Sequence, residues 1–210
     1  MNNVYFRFID KIPYSKEFIS CNNYFILKSS KLEEHEMWST YKLQIGIIQA
    51  LLREYKNLID KNDYVLCPIY ADENDENYFN DIRFGITETS KENENIFDCF
   101  KRGIGEELGF RYIKDNLPEN CIEMFFKKNK YFIYPINIAD TKSITPIKKQ
   151  VPDNTIRDDK YLPRSGCIIY GNESDILKYL NRDKILLDMS NDDIIGLAAI
   201  KFQDAKNHFL

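Results

Sequence analysis

The chain has 210 residues, of which 43% are hydrophobic and 30% charged, with 14 Tyr and 14 Phe. That is ample core material for one domain and short for two, and it excludes an intrinsically disordered chain. Lys and Arg number 29 against 33 Asp and Glu, a net charge of -4, which excludes nonspecific nucleic-acid binding through a global basic field and leaves only local patches.

Residues 4–9 and 23–28 are rich in aromatic and branched side chains and are separated by Pro13 and polar residues; they predict two strands. Over residues 31–60 the period changes. Met37, Tyr41, Ile45, Ile48, Leu52, Tyr55 and Ile59 recur at three- and four-residue steps, which predicts one long amphipathic helix with Glu33, Glu34, Lys42, Arg53 and Lys56 on its other face. Residues 64–70 predict a strand. Residues 71–80 predict an acidic surface loop, where Asp72, Glu73, Asp75 and Glu76 lack the spacing and glycine of a calcium loop and read as a solvated turn.

Residues 81–87 predict a short strand and residues 88–95 a polar connection. Asn95 is placed to cap the next helix, with Asp98 where a capping-box carboxylate sits. That helix is expected over residues 96–108, burying Phe97, Phe100, Ile104 and Leu108, and ending at Gly109 in the left-handed conformation. Residues 121–126 and 131–138 predict a hairpin joined through Lys127, Lys128, Asn129 and Lys130. Residues 139–164 predict a long loop, 167–170 a strand, 174–180 a short helix, and 188–208 a final helix capped near Ser190. No repeat, low-complexity linker or domain boundary interrupts the pattern, so one α/β domain is expected over residues 1–210.

Cys21, Cys67, Cys99, Cys121 and Cys167 are odd in number, widely spaced and without a C-x-x-C pair, which fits reduced core thiols in a cytoplasmic protein rather than disulfides or zinc. The N-terminus lacks an apolar signal region, and no apolar run approaches the roughly 20 residues that span a bilayer. A membrane partner is therefore not expected. His35 and His208 stand alone, and Ser165-Gly166-Cys167 lacks the flanking pattern of a nucleophile elbow. Trp38, Tyr131, Phe132 and Tyr134 are candidates to stack a base, and Lys127, Lys128 and Lys130, with Lys148 and Lys149 further on, are candidates to hold phosphate. The plainer reading is core aromatics and a solvated hairpin tip.

The segment that carries chemistry begins at Glu94. Seven residues separate it from Arg102-Gly103-Ile104-Gly105-Glu106-Glu107-Leu108-Gly109-Phe110. On a helix, Glu106 lies one turn beyond Arg102 while Phe100, Ile104 and Leu108 face the core. Hard carboxylate oxygens suit Mg²⁺, and Arg102 can pair with Glu94 or Glu106 and orient them. The bland alternative is an exposed ladder of Asp98, Arg102 and Glu106, worth a few tenths of a kcal/mol per pair.

This segment resembles the signature of the Nudix superfamily: Gly, five residues, Glu, seven residues, then Arg-Glu-U-x-Glu-Glu-x-Gly-U, with U bulky and apolar. Seven of the nine defined positions match, a coincidence of about one in a thousand for a chain of this size. The resemblance implies an α/β/α sandwich with a mixed sheet, here with an extra N-terminal helix. It also implies that the loop and helix hold Mg²⁺ or Mn²⁺ against the diphosphate of a nucleoside-diphosphate-linked substrate, a nucleotide-type small molecule. In active members a metal-activated water attacks phosphorus. Glu106 and Glu107 are then catalytic, with Arg102 orienting them and a structural salt bridge between Glu94 and Arg102.

Two positions depart from the signature. Gly103 replaces the first Glu of the core, and Glu88 stands where the leading Gly belongs. Gly103 and Gly105 each cost a helix roughly 1 kcal/mol relative to Ala, so a bare backbone serves a local purpose. In one account Glu88 occupies the space above Gly103 and completes a metal set of Glu88, Glu106 and Glu107. In the other the site does not turn over, and the fold binds a nucleotide, RNA such as a capped end, or a protein. The signature names neither the substrate nor the residues that bind it.

Overall fold

The computed structural model describes residues 3–8, 18–21, 24–28, 42–54, 57–70, 81–126, 129–144, 163–180 and 194–204. Among them the chain runs through strands β1 (Asn3–Phe8), β2 (Phe18–Cys21) and β3 (Tyr24–Lys28), helix α1 (Lys42–Glu54), and strands β4 (Tyr64–Tyr70), β5 (Asp81–Ile82) and β6 (Ile86–Thr89). Helix α2 (Ile96–Leu108) follows, then β7 (Phe110–Tyr112), β8 (Ile122–Phe126), β9 (Asn129–Asn137), β10 (Thr141–Ser143), β11 (Arg164–Gly171), α3 (Glu173–Leu180) and β12 (Ile194–Lys201). The expectations placed on residues 31–41, 71–80 and 145–162, on Lys127 and Lys128, and on His208 lie outside the described residues.

The architecture is mixed α/β. The main sheet has the order β2-β3-β1-β12-β4-β11-β9-β8, with β5 beside β4 and β6 beside β11. β9 and β11 run parallel and the other pairs antiparallel, so the sheet is mixed. β7 and β10 form a separate two-stranded ribbon. Among the described residues no helix is long and apolar enough to cross a membrane. Cys67, Cys99, Cys121 and Cys167 are free thiols, as their spacing suggests.

The expected C-terminal helix is corrected over Ile194–Lys201, which is a strand between β1 and β4; residues 188–193, with Ser190, and 205–208 lie outside the described residues. Leu197, Ala198, Ala199 and Ile200 are all buried. A central strand covered on both faces loses the alternation that marks a half-exposed strand and reads as a continuous apolar run. The two alanines, good helix formers, complete the misreading. α1 also stops short of the expected 31–60 span, because residues 57–60 form a turn. There Asp60 Oδ1 accepts the Asn62 N–H at 2.8 Å, the local bond by which Asp diverts a backbone from helix. Ile59 is buried from that turn, and Ile47, Ala50 and Leu51 are buried from α1.

The single strand expected over 81–87 is broken in two. Arg83 N–H donates to the Pro68 carbonyl, and Gly85 then takes φ 83°, so the chain leaves β4 and continues as β6 along β11. β11 thus pairs with β4 at Tyr170 and Gly171 but with β6 from Arg164 to Cys167, and the sheet forks. The fork is tight: a Cβ on Gly85 would lie 1.9 Å from the Cys167 carbonyl oxygen, and one on Gly166 2.1 Å from that of Ile86.

Helix α2 packs across β6 and β11 at this fork, with the expected bounds. Asn95 Oδ1 accepts the Asp98 N–H at 2.9 Å, and Gly109, at φ 63°, returns its N–H to the Ile104 carbonyl. Phe100, Ile104 and Leu108 are buried, while Phe97 is half-buried. Phe100 meets Tyr112 and Tyr134 edge-on, each at 5.3 Å. From α3, Tyr179 Oη donates to the Leu108 carbonyl at 2.6 Å and ties down the end of α2.

Gly85→Ala imposes both a left-handed conformation on a side chain and a collision with backbone. It is expected to destabilise the fold by about 3 kcal/mol or more, read as a lower urea midpoint.

Candidate functional site

Around Arg102, α2, the end of β6 and the connecting turn meet in a cluster of carboxylates. The turn comes first. Glu94 N–H donates to the Lys91 carbonyl at 3.1 Å, Asn93 takes φ 63°, a left-handed position that Asn tolerates, and the Glu94 carboxylate accepts the Lys91 N–H at 2.8 Å. Asn95 then starts the helix. Asp98, expected to reach the backbone of Asn95, instead accepts from the Asn95 side-chain amide at 2.6 Å and pairs with Lys101 at 2.9 Å.

That arrangement excludes the ladder through Asp98. Arg102 turns inward, its side chain only 15% exposed, and meets Glu94 as a two-pronged fork: Nε to Oε1 and Nη2 to Oε2, both 2.8 Å. Nη2 also donates to the Thr89 carbonyl at 2.9 Å. Nη1 donates to Glu106 Oε2 at 3.2 Å and lies 3.4 Å from Glu88 Oε1. Four guanidinium N–H groups thereby donate to an oxygen, and Glu88 adds an ion pair. The two bonds from Arg102 hold the Glu94 carboxyl below its usual range, and the bonds to Glu94, with the charges of Glu88 and Glu106, push the Arg102 guanidinium further up.

Gly103 explains how Glu88 reaches this cluster. A Cβ at Gly103 would stand 3.0 Å from the Cβ of Glu88 and 3.5 Å from its Cγ, so the bare helix position is the seat of the Glu88 side chain. The Glu88 side chain is 16% exposed and that of Glu106 4%. Glu88 Oε1 also accepts the Thr89 N–H at 3.0 Å. Among the described residues, Glu88 Oε2 and Glu106 Oε1 have no protein donor.

No family model, curated protein or solved structure matches this chain. What the site can do is therefore read from its own geometry. Among the described residues it gathers three carboxylates, Glu88, Glu94 and Glu106, about one guanidinium. Glu107, next along α2, is half-buried, its side chain turned about 100° from that of Glu106 around the helix. Among the described residues no group of three or more His, Cys, Asp and Glu side chains stands assembled to hold a metal. The donors themselves are hard carboxylate oxygens, a donor type that suits Mg²⁺ or Mn²⁺.

Other candidates fall away. Ser165 is fully buried inside β11, with Gly166 pressed against Ile86, so the Ser165-Gly166-Cys167 run is a strand and not a nucleophile turn. Cys99 is buried beneath Arg102, and burial pushes its thiol up, away from the reactive thiolate. Tyr131 and Tyr134 are buried core residues, and Phe132 is half-buried. Sequence reading missed the Thr89 carbonyl, because every residue carries one and no side-chain type announces its use.

The depressed Glu94 carboxyl makes stability depend on pH. Its contribution is fully present above the unfolded value of 4.5 and is lost as pH falls through the lower folded value. Thermal unfolding followed from pH 7 downward is expected to show a midpoint that drops below about pH 4.5, and Glu94→Gln is expected to lower the midpoint at pH 7 and flatten that drop.

Proposed function

We propose that this chain is a Nudix-like α/β/α domain that hydrolyses a nucleoside-diphosphate-linked substrate with Mg²⁺ or Mn²⁺ held by Glu88, Glu106 and Glu107. The observation that carries the reading is the seat of Glu88 on Gly103, with Glu88 and Glu106 both drawn to Arg102 Nη1. The carboxylate missing from the helix is replaced by one from the facing strand. A bound cation supplies neutralisation of the diphosphate and a water of lowered pKa. The residues do the rest: Glu94 fixes the Arg102 plane, Arg102 positions Glu88 and Glu106, and the surplus negative charge favours a divalent cation over an empty site.

A second reading is a noncatalytic nucleotide-binding or RNA-binding module, or a protein-interaction domain. It is favoured by Gly103 itself and by the lack, among the described residues, of a metal-holding group assembled beforehand. The two readings part on turnover. Purified protein with Mg²⁺ or Mn²⁺ is expected to release nucleoside monophosphate from at least one of a panel of nucleoside-diphosphate sugars, dinucleotides and capped RNA. Glu107→Gln is expected to cost more than the roughly 10- to 100-fold loss typical of a supporting residue; binding without turnover, unchanged in that variant, selects the second reading.

Replacement of one carboxylate by the other makes a further prediction about stability. Gly103→Glu alone crowds Glu88 at 3.0 Å and is expected to lower the melting temperature. Gly103→Glu combined with Glu88→Ala is expected to recover most of that loss and to keep the metal-induced rise in melting temperature. A double variant no more stable than the single one contradicts the replacement.

A further inference from the structure

Strand β11 carries one charged side chain, Arg164, at its first position, and every residue after it in the strand is buried. β11 runs between β6 and β9, whose Thr89 and Tyr131 stand directly opposite Arg164. Directly opposed residues share a sheet face, and the next residues along take the other. Glu88 is opposite Ser165, one position on, and its side chain seats against Gly103 of α2. Arg164, Thr89 and Tyr131 therefore belong to the face away from the carboxylate cluster.

The Arg164 guanidinium carbon lies 5.6 Å from the centre of the Tyr131 ring, and Tyr131 is itself buried. Arg164 Nε is buried and has no hydrogen-bond partner. Among the described residues no carboxylate pairs with Arg164, whereas three meet Arg102. A half-buried cation with an unmade N–H bond is costly in the folded chain, and an ion that supplies the missing acceptor removes that cost. A guanidinium offers a planar fork of donors matched to two oxygens of one anion, and a ring beside it helps to fix the plane of that fork. The Thr89 hydroxyl is a further donor on the same face. A tetrahedral oxyanion has a third oxygen to meet it, and a planar carboxylate has none. We propose that Arg164, with Thr89 and Tyr131 beside it, binds a phosphate-type oxyanion, either free phosphate or the phosphoryl group of a small molecule. This site goes beyond the hydrolase reading and does not rest on it, because it lies on the other face of the sheet and uses no cation.

The test is isothermal titration calorimetry of the full chain with inorganic phosphate, in EDTA, so that no metal bridges phosphate to the carboxylate cluster and the two readings fail separately. Saturable binding is expected, weaker by about tenfold or more in Arg164→Lys, which keeps the charge and loses the fork, and unchanged in the exposed Arg53→Gln. A second measurement needs no variant: phosphate is expected to protect Arg164 of the unaltered chain from an arginine-directed dicarbonyl reagent, read by peptide mass spectrometry. A nucleoside monophosphate that binds more tightly than phosphate assigns the anion to an ester, and one that binds no better assigns it to free phosphate; both uphold the site. Acetate binding as tightly as phosphate overturns it. So does the absence of phosphate binding, equal affinity in Arg164→Lys, or binding that leaves Arg164 unprotected, each of which reduces Arg164 to a stem packed over Tyr131.

Discussion

The Arg102 guanidinium is the point on which the candidate site depends. It donates to Glu94, Glu106 and the Thr89 carbonyl and is ion-paired with Glu88, so one side chain joins the turn before α2, the second half of α2 and the end of β6. The side chains it gathers are between 4% and 16% exposed, where leaving carboxylates without their counter-charge costs about 3–5 kcal/mol. That magnitude far exceeds the few tenths of a kcal/mol of an exposed helical pair, and it decides between an ornamental surface ladder and a built cluster. Among the described residues three carboxylates meet this one guanidinium.

The fold brings these groups together through a fork in the sheet. Gly85 and Gly166 let β6 cross from β4 to lie on β11 at a backbone separation that no Cβ survives, and this crossing delivers Glu88 to α2. Gly103 completes the approach from the helix side. Its helix-propensity cost, about 1 kcal/mol, is offset by strand–helix packing and by the carboxylate it admits. The same backbone economy recurs at the end of α2, where Gly109 closes the helix and Tyr179 takes up the Leu108 carbonyl.

Much of this was legible in the residues. Asn95 and Gly109 mark both ends of α2, and the spacing of Phe100, Ile104 and Leu108 fixes its buried face, because capping and a 3.6 period are local rules. The pairing of Arg102 with Glu94 or Glu106 was readable from charge and spacing along the segment, and the proximity of Glu88 to Gly103 from an acid near the end of a strand and a bare helix position. The fork was not legible, since a glycine break signals a turn without saying which strand receives the chain. β12 was misread because burial on both faces erases periodicity. β7 and β10 are short strands that pair with each other from far apart in sequence, and pairing of that kind leaves little local trace.

The surplus of carboxylate over guanidinium is tested most directly by Mn²⁺ binding followed by electron paramagnetic resonance at neutral pH. The account predicts a bound ion displaced by Mg²⁺, with affinity falling at least about tenfold in both Glu88→Gln and Glu106→Gln and unchanged in the exposed Glu54→Gln. Binding insensitive to Glu88 and Glu106, or no binding of Mn²⁺ at all, contradicts it.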